Sequence, residues 1–296
     1  GGRLSLNRPV THRIAVSLAP YDTHECLETL RKVAPCVGLA EIRLDLMTEF
    51  DLPHIVSKSP CPLIITCRPV REGGQFAGAE SERLDLLTQA MDLGCLYVDL
   101  EWDSIAAFQQ QKHSRTRLIA SRHWSDHMPA TLWSEYEEMR ERADVVKLVG
   151  SVSRATEALP ILDLLRRATS PVIAIGSGDP GQFTRLLAMC FPMTVLTYGA
   201  ATSHTLTAPG QLTVQEMFGI YHLQNVGRDT SVYIHLCSSP KAAKAVAIEN
   251  SFAIPGEALH IAIETSPEEA PELIAGLTAH LPRATLRADT LIMKHC

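Results

Sequence analysis

The sequence predicts an α/β protein, a (β/α)8 barrel with a small C-terminal α/β appendage. Three observations lead there. Short apolar runs alternate strictly with amphipathic stretches through residues 12–224. The alternation repeats eight times, the number that closes a parallel sheet on itself with right-handed crossovers. The turn after the first run, SLAPYDT, lacks the glycine-rich phosphate pattern usual there in the runner-up, an open doubly wound sheet.

The elements follow in order. HRIAVSL (12–18) is the first strand, and THECLETLRKV (23–33) the first helix. VGLAEIRLDLM (37–47) is the second strand, followed by a short helix at 51–58. PLIITCRP (62–69) leads to a helix at 80–92, and CLYVDLE (95–101) to one at 103–112. RLIASRH (117–123) precedes a helix at 130–141. DVVKLVG (144–150) precedes 153–168, and PVIAIGS (171–177) precedes 180–190. MTVLTYG (193–199) is the eighth strand, with its helix at 213–224. Residues 1–224 are read as the barrel and 225–296 as the appendage.

Hydrophobic residues make up 46% and charged residues 20%, as in ordinary globular proteins. A net charge of −6 argues against a nucleic-acid or anionic-membrane partner. No apolar run reaches the length of a membrane span. No leader is visible, although the chain begins GGRLSLN without Met. Cysteines 26, 36, 61, 67, 95, 190, 237 and 296 form no CxxC pair, so neither a metal knuckle nor a redox motif is indicated. Most sit in apolar segments, as expected of reduced thiols in a cytoplasmic protein.

Function in a barrel sits at the C-terminal ends of the strands, and polar residues collect there. Ser17 ends the first strand. Glu41, Arg43 and Asp45 alternate along the second and are expected to share one face. Arg68 ends the third, with Glu72 in the turn REGGQ. Glu101 ends the fourth, and Ser121, Arg122 and His123 end the fifth. Ser177 follows the seventh and Arg185 lies in the helix after it. Plainer readings exist: a salt-bridge layer for the second strand, Asp45 above all, and an ordinary strand-end histidine for His123.

Lys147 is the sharpest feature. It lies inside ADVVKLVG (143–150), a β-branched run suited to a strand covered on both faces. A lysine there either reaches water, joins a structural ion pair, or loses its proton and becomes a nucleophile. Arg43, Arg68 and Arg185 converging on the same mouth would favour the neutral amine and an anionic, carboxylate-bearing substrate. A neutral amine forms an imine with a ketone, and the protonated imine acidifies the adjacent C–H. His123 is the natural proton shuttle. These residues point to a lysine-imine dehydratase or aldolase.

In that order the chain carries EIRLD (41–45), TCRPxxEGG (66–74), SRH (121–123), VVKLVG (145–150), TR (184–185) and APGQ (208–211). With these motifs it resembles the type I 3-dehydroquinate dehydratases of the shikimate pathway over residues 12–222. The resemblance implies that Lys147 forms an imine with the C3 ketone of 3-dehydroquinate. His123 would move protons at C2 and at the C1 hydroxyl, tuned by Glu72. Glu41, Arg43 and Arg68 would grip ring hydroxyls. Arg185 would bind the carboxylate with Gln211 and Thr207, and Ser17 would line the pocket. No metal or organic cofactor is implied; the partner is the small-molecule substrate, and a homodimer is expected. The sequence departs from the family at Ser177, where methionine is usual, at Tyr198, where phenylalanine is frequent, and at Thr207, where serine is common. The stretch from Tyr198 to APGQ is about two residues longer than in many relatives.

Residues 225–296 resemble a degenerate or truncated start of a fused shikimate dehydrogenase. YIHLCSSPKAAKAVAIENSF (233–252) matches its first strand and helix, and a helical pattern follows at 267–280. The two substrate-holding serines fall at Ala243 and Ala245 when Asn250 is aligned. The segment that would carry the catalytic lysine reads GLTAHLPRA (276–284), and no GxGxxG follows. The tail is expected to lack dehydrogenase activity and to pack against the barrel or support dimer contacts. Two other readings stand beside the dehydratase. An aldolase would need a phosphate site near strands seven and eight, which GSGDPGQ and TAPGQ loosely imitate. A silent metabolite-binding barrel would be expected to have lost the reactive lysine.

Overall fold

The computed structural model describes residues 13–108 and 114–294. Its larger sheet holds β1 (Ile14–Leu18), β2 (Leu39–Arg43), β3 (Leu63–Thr66), β4 (Tyr97–Glu101), β5 (Arg117–Trp124), β6 (Val145–Ser151), β7 (Val172–Ser177) and β8 (Thr197–Ala200). All neighbours are parallel, in the order β7-β6-β5-β4-β3-β2-β1-β8. The two ends of the row meet. Val172 bridges Thr194, its N–H donating to Met193 O at 2.9 Å and its carbonyl accepting from Val195 N–H at 3.0 Å. The sheet therefore closes into the expected barrel, which leaves little exposed edge.

Two apolar layers hold it. Outward residues such as Val16, Ile42, Ile65, Val98, Val146 and Leu148 join the helix-facing core. Inward residues Ala15, Leu39, Ile64, Tyr97, Ile119, Val145, Ile173 and Leu196 belong to a separate interior cluster. Two residues further along six of these strands the inward position turns polar. Ser17, Glu41, Thr66, Asp99, Ser121 and Lys147 are all buried there. The strand period of two thus sets a charged layer upon an apolar plug.

Among the described residues, the helices of the barrel are α1 (Thr23–Val33), α2 (Leu52–Lys58), α3 (Glu80–Asp92), α4 (Leu132–Met139), α5 (Leu159–Arg167), α6 (Gln182–Leu187) and α7 (Val214–Gly219). Asp22 and Asp51 cap α1 and α2, and Thr213 with Glu216 forms a capping box on α7. Several helices are shorter than expected because 3-10 turns flank them, as at Ala155–Ala158 and Ala188–Cys190. The stretch expected as a helix at 103–112 begins with the 3-10 turn Trp102–Ser104, and residues 109–112 lie outside the described residues, as does residue 12 of the first strand. The expected second strand is also cut short. It ends at Arg43, and a 3-10 turn, Leu44–Leu46, carries Asp45 back onto Arg43. Glu41, Arg43 and Asp45 therefore do not continue along one strand face.

A second sheet follows, with β9 (Ser231–Cys237), α8 (Pro240–Phe252), β10 (Ala258–Glu264), α9 (Ala270–His280), β11 (Thr285–Ala288) and α10 (Thr290–Met293). Its strands are parallel in the order β10-β9-β11, around Ile234, Leu236, Leu259, Ile261 and Ile263. It packs on the barrel through α9 and α5. A Cβ on Gly276 would come within 2.3 Å of Leu159 Cδ1, so this contact needs glycine or a displaced leucine. Glu269 accepts from Thr156 N–H at 2.8 Å, and His280 Nδ1 lies 3.7 Å from Asp163. The seven described cysteines are free, four of them buried; Cys296 lies outside the described residues. No helix among the described residues is long and apolar enough to cross a membrane.

Candidate active site

A cavity of about 270 Å³ opens at the C-terminal mouth of the barrel. That is slightly below the range of about 300–1,000 Å³ usual for drug-sized ligands, which suits a small molecule. Glu41, Arg43, Arg68, Glu72, His123, Lys147, Arg185, Thr207 and Gln211 all line it. Ser17 is buried beside it. It donates to Glu41 Oε1 at 2.7 Å and accepts from Thr207 Oγ1 at 2.8 Å. Gln211 Nε2 donates in turn to Thr207 at 3.0 Å. The structure thus brings together every residue that the resemblance assigns to the site, whereas Arg122, another strand-end candidate, turns away onto Glu135.

Lys147 sits at mid-strand on β6, 5% exposed, with its amine in the polar layer. Nζ donates to Asp99 Oδ2 at 3.0 Å and lies 3.9 Å from Glu41 and 4.4 Å from the Tyr198 ring centroid. The expectation was of a lysine crowded by arginines. Its first partner is instead a carboxylate. Arg68 is turned to Asp99 through two bonds, at 2.8 and 2.9 Å, and to Glu101. Arg43 is held by Asp45 at 2.9 and 2.7 Å. Both guanidinia are thus paired with carboxylates.

Asp99 was missed from sequence, and it is the hub of the floor. It is wholly buried and takes bonds from Arg68, Lys147 and, at 2.6 Å, Ser121. Burial alone would raise its carboxyl, but Arg68 and Lys147 hold it well below the usual range. The signal was available: in YVDLE it lies two residues before Glu101, on the same strand face. Arg83, also missed, sits behind this layer. It is wholly buried and bonds Glu101, Glu80 and the Cys67 carbonyl.

His123 and Glu72 form the second unit. The His123 backbone N–H donates to Glu72 Oε2 at 2.7 Å, and ring Nδ1 lies 3.3 Å from the same oxygen. The EGG turn makes this reach possible. Gly73 has φ +84°, and a Cβ on Gly74 would lie 2.1 Å from the Arg68 carbonyl oxygen. Burial, with Arg68 and Lys147 nearby, holds the His123 imidazole well below its ordinary value. Burial pushes Glu72 up to about 7. Both shifts favour an uncharged pair, poised for proton transfer near neutrality.

Arg185 differs from the other arginines. It is 2% exposed, and burial lowers it to about 10. Nη2 donates to the Pro209 carbonyl at 3.3 Å, while Nε has no partner. A buried guanidinium without a carboxylate is an anion site by its chemistry. The loops expected to imitate a phosphate cradle do not offer one here. Gly178 N–H donates to Pro209 O, and Gly181 N–H to Gly178 O, so these amides are engaged within the loops. Among the described residues, no group of three or more His, Cys, Asp or Glu is placed to hold a metal.

A closed barrel with a buried lysine, a carboxylate-bound histidine and a carboxylate-free buried arginine at one mouth is the arrangement that lysine-imine chemistry in a barrel enzyme requires. Comparison with known proteins narrows this class. The type I 3-dehydroquinase family matches residues 14–228, and the chain belongs to that family. The 3-dehydroquinate dehydratase of Desulfotalea psychrophila is 32% identical over 222 residues, covering 71% of this chain and 97% of that protein. The chloroplastic bifunctional 3-dehydroquinate dehydratase/shikimate dehydrogenase of Arabidopsis thaliana is 32% identical over 220 residues, 70% of this chain; that stretch spans 36% of the plant protein. In fold, the Geobacillus kaustophilus 3-dehydroquinate dehydratase matches 70% of this chain and 88% of its own, at TM-score 0.62 and 22% identity. The dehydroquinate dehydratase and shikimate dehydrogenase of S. pombe AroM matches at the same score and identity. It covers 96% of this chain and 58% of its own, so that likeness of fold reaches the appendage.

Proposed function

We propose that this chain is a 3-dehydroquinate dehydratase, a hydro-lyase that converts 3-dehydroquinate to 3-dehydroshikimate and water. The observation that carries the reading is geometric: the buried amine of Lys147 opens into the same cavity as the His123–Glu72 pair. Lys147, having given up its proton, adds to the C3 ketone and expels water as the imine forms. His123 takes a proton from C2, and the electron pair moves into the protonated imine to give an enamine. The enamine pushes out the C1 hydroxyl, which leaves as water with the proton from His123. A water molecule then hydrolyses the product imine and frees Lys147. One water is released on forming the imine and one is consumed in breaking it, so the net product is one water. Asp99 steadies the amine and the iminium that replaces it. Glu72 orients the imidazole, as a carboxylate does for a general base. Arg185 binds the carboxylate with Thr207 and Gln211, while Glu41 and Arg43 meet ring hydroxyls from Ser17's side of the mouth. Arg68, engaged by Asp99 and Glu101, acts chiefly through them.

Borohydride tests this directly. Incubation with 3-dehydroquinate followed by reduction should add a ligand, as a secondary amine, to the peptide bearing Lys147. Intact mass and peptide mapping read the result, and Lys147→Ala should remain unmodified. An unmodified Lys147 in a chain that still binds the substrate would favour the silent barrel.

The same proposal covers the rest of the chain. Residues 225–296 form a non-catalytic appendage without shikimate dehydrogenase activity, a reading supported by Ala243 and Ala245 where substrate-holding serines are expected. NADPH-dependent reduction of 3-dehydroshikimate by this chain would overturn it. The setting is cytoplasmic and the assembly a homodimer. The exposed Ile248, Phe252 and Ile254 offer apolar surface for a second copy. Fractionation of the source cells reads the first and light scattering the second.

A further inference from the structure

One group in the cavity wall has no part in the reaction as drawn. Tyr198, on β8, is 3% exposed and lines the cavity. Its ring lies beneath the Lys147 amine, where the π face favours a cation both before and after imine formation. A phenylalanine would supply the same ring. The hydroxyl is the difference, and it is buried with no hydrogen-bond partner. A buried tyrosine hydroxyl ordinarily has one, because leaving it unpaired costs its desolvation.

Arg185 Nε is orphaned in the same way, and the two side chains lie close enough to interact electrostatically. Two buried donors without protein acceptors, on side chains that both line one cavity, suit a ligand group with two acceptor oxygens. Glu41 and Asp99 also act on the phenol, so a second cation there would pair with them. A neutral donor does not. Burial and Glu41 raise the Tyr198 phenol well above its ordinary value, which keeps its proton in place at neutral pH.

Resting on the dehydratase reading, we propose that Tyr198 is a specificity-determining residue whose hydroxyl donates a hydrogen bond to the substrate carboxylate that Arg185 binds. The ring attends the lysine and the hydroxyl attends the acid, so one side chain ties the reactive carbon to the recognition group.

Tyr198→Phe removes the hydroxyl and keeps the ring. The wild type and the variant should be compared in kinetics, ligand affinity and thermal unfolding. A hydrogen bond to a charged group predicts that KM for 3-dehydroquinate rises about 10- to 100-fold, with kcat within about twofold. The free variant should unfold at the same temperature or higher, since it loses no protein hydrogen bond. A decarboxy analogue of the substrate should bind both proteins equally. An unchanged KM overturns the proposal. So does an equal loss of affinity for the decarboxy analogue, which would place the contact elsewhere. A drop in the stability of the free variant overturns it too, by making the hydroxyl structural. A wild type that turns over 3-dehydroquinate beside an unaffected variant sinks this inference alone. A wild type that neither binds nor turns over 3-dehydroquinate sinks the dehydratase reading and this inference together.

Discussion

The barrel and the appendage are both parallel α/β assemblies, yet they treat buried polar groups differently. In the appendage those groups mostly answer each other. Asn250 holds the His260 backbone with bonds of 2.7 and 2.8 Å, and His235 Nε2 meets His260 Nδ1 at 2.9 Å. At the barrel mouth the charged floor is also paired, through Asp99, but Arg185 Nε and Tyr198 Oη are left unanswered. The difference teaches where binding belongs. A polar network closed on itself stabilises a fold, whereas donors kept dry and unpaired are stabilised when a ligand arrives.

The comparison breaks most sharply at Lys147. Lys147→Ala should lower kcat by at least about 10³-fold, read in a steady-state assay of 3-dehydroshikimate formation. A smaller loss would return that lysine to the structural role that strand position alone suggests. Asp99→Asn comes next. It weakens the hold on Lys147 and leaves the buried Arg68 relying on Glu101, so stability should fall by about 3 kcal/mol in denaturant titration. Turnover should fall with it, by about 100-fold, because the amine loses its anchor.

Glu72→Gln tests the proton-transfer unit. Glu72 titrates at about 7, so its carboxylate, and with it the basicity of His123, should develop as pH rises through neutrality. The kcat/KM profile of the wild type should climb through about pH 7. The variant should lose that limb and about 10- to 100-fold of activity. The sign for stability is opposite. A carboxyl raised in the folded state contributes stability that is full below the ordinary glutamate range and lost as pH rises through about 7. Glu72→Gln should therefore be the more stable protein at pH 8, even as it is the poorer enzyme.

The appendage should respond in stability alone. Asn250→Ala removes both bonds to the His260 backbone and should destabilise β9 and β10 by about 2 kcal/mol, seen as faster hydrogen exchange there. KM and kcat should not move; a change in either would mean that the appendage shapes the mouth. The smallest effect concerns acid. Burial lowers His235 and His260, with Arg287 adding to both, so their neutral pairing contributes stability that is present above the ordinary histidine range. That stability is lost as pH falls through their lowered values. The protection factors of the β9 and β10 amides, corrected for the intrinsic slowing of exchange in acid, should fall between pH 7 and pH 5, while those of β5 and β6 hold.

Much of this was legible in the chain. Eight strand–helix repeats fixed the barrel because periodicity and crossover handedness leave few alternatives. Lys147, His123 and Glu72 could be named because each breaks a local pattern: a charge in an apolar run, a histidine at a strand end, a carboxylate before two glycines. The appendage was visible from its strand and helix at 233–252, which the structure gives as β9 and α8. Asp99 was passed over because one aspartate in YVDLE carries no pattern of its own. Its importance comes from Arg68 and Lys147, 31 and 48 residues away in sequence.

What the sequence by itself determined was the order of elements, the end of the barrel at which polar residues gather, and the inventory of reactive groups. Local periodicity and side-chain chemistry decide these, and both are written residue by residue. Only the tertiary structure decided how the charges pair. It turned Arg68 onto Asp99 and Glu101, and left Arg185 and Tyr198 with donors to spare. Pairing depends on distances of a few ångströms across strands far apart in the chain. At that range burial and neighbouring charge outweigh the intrinsic preference of any one residue.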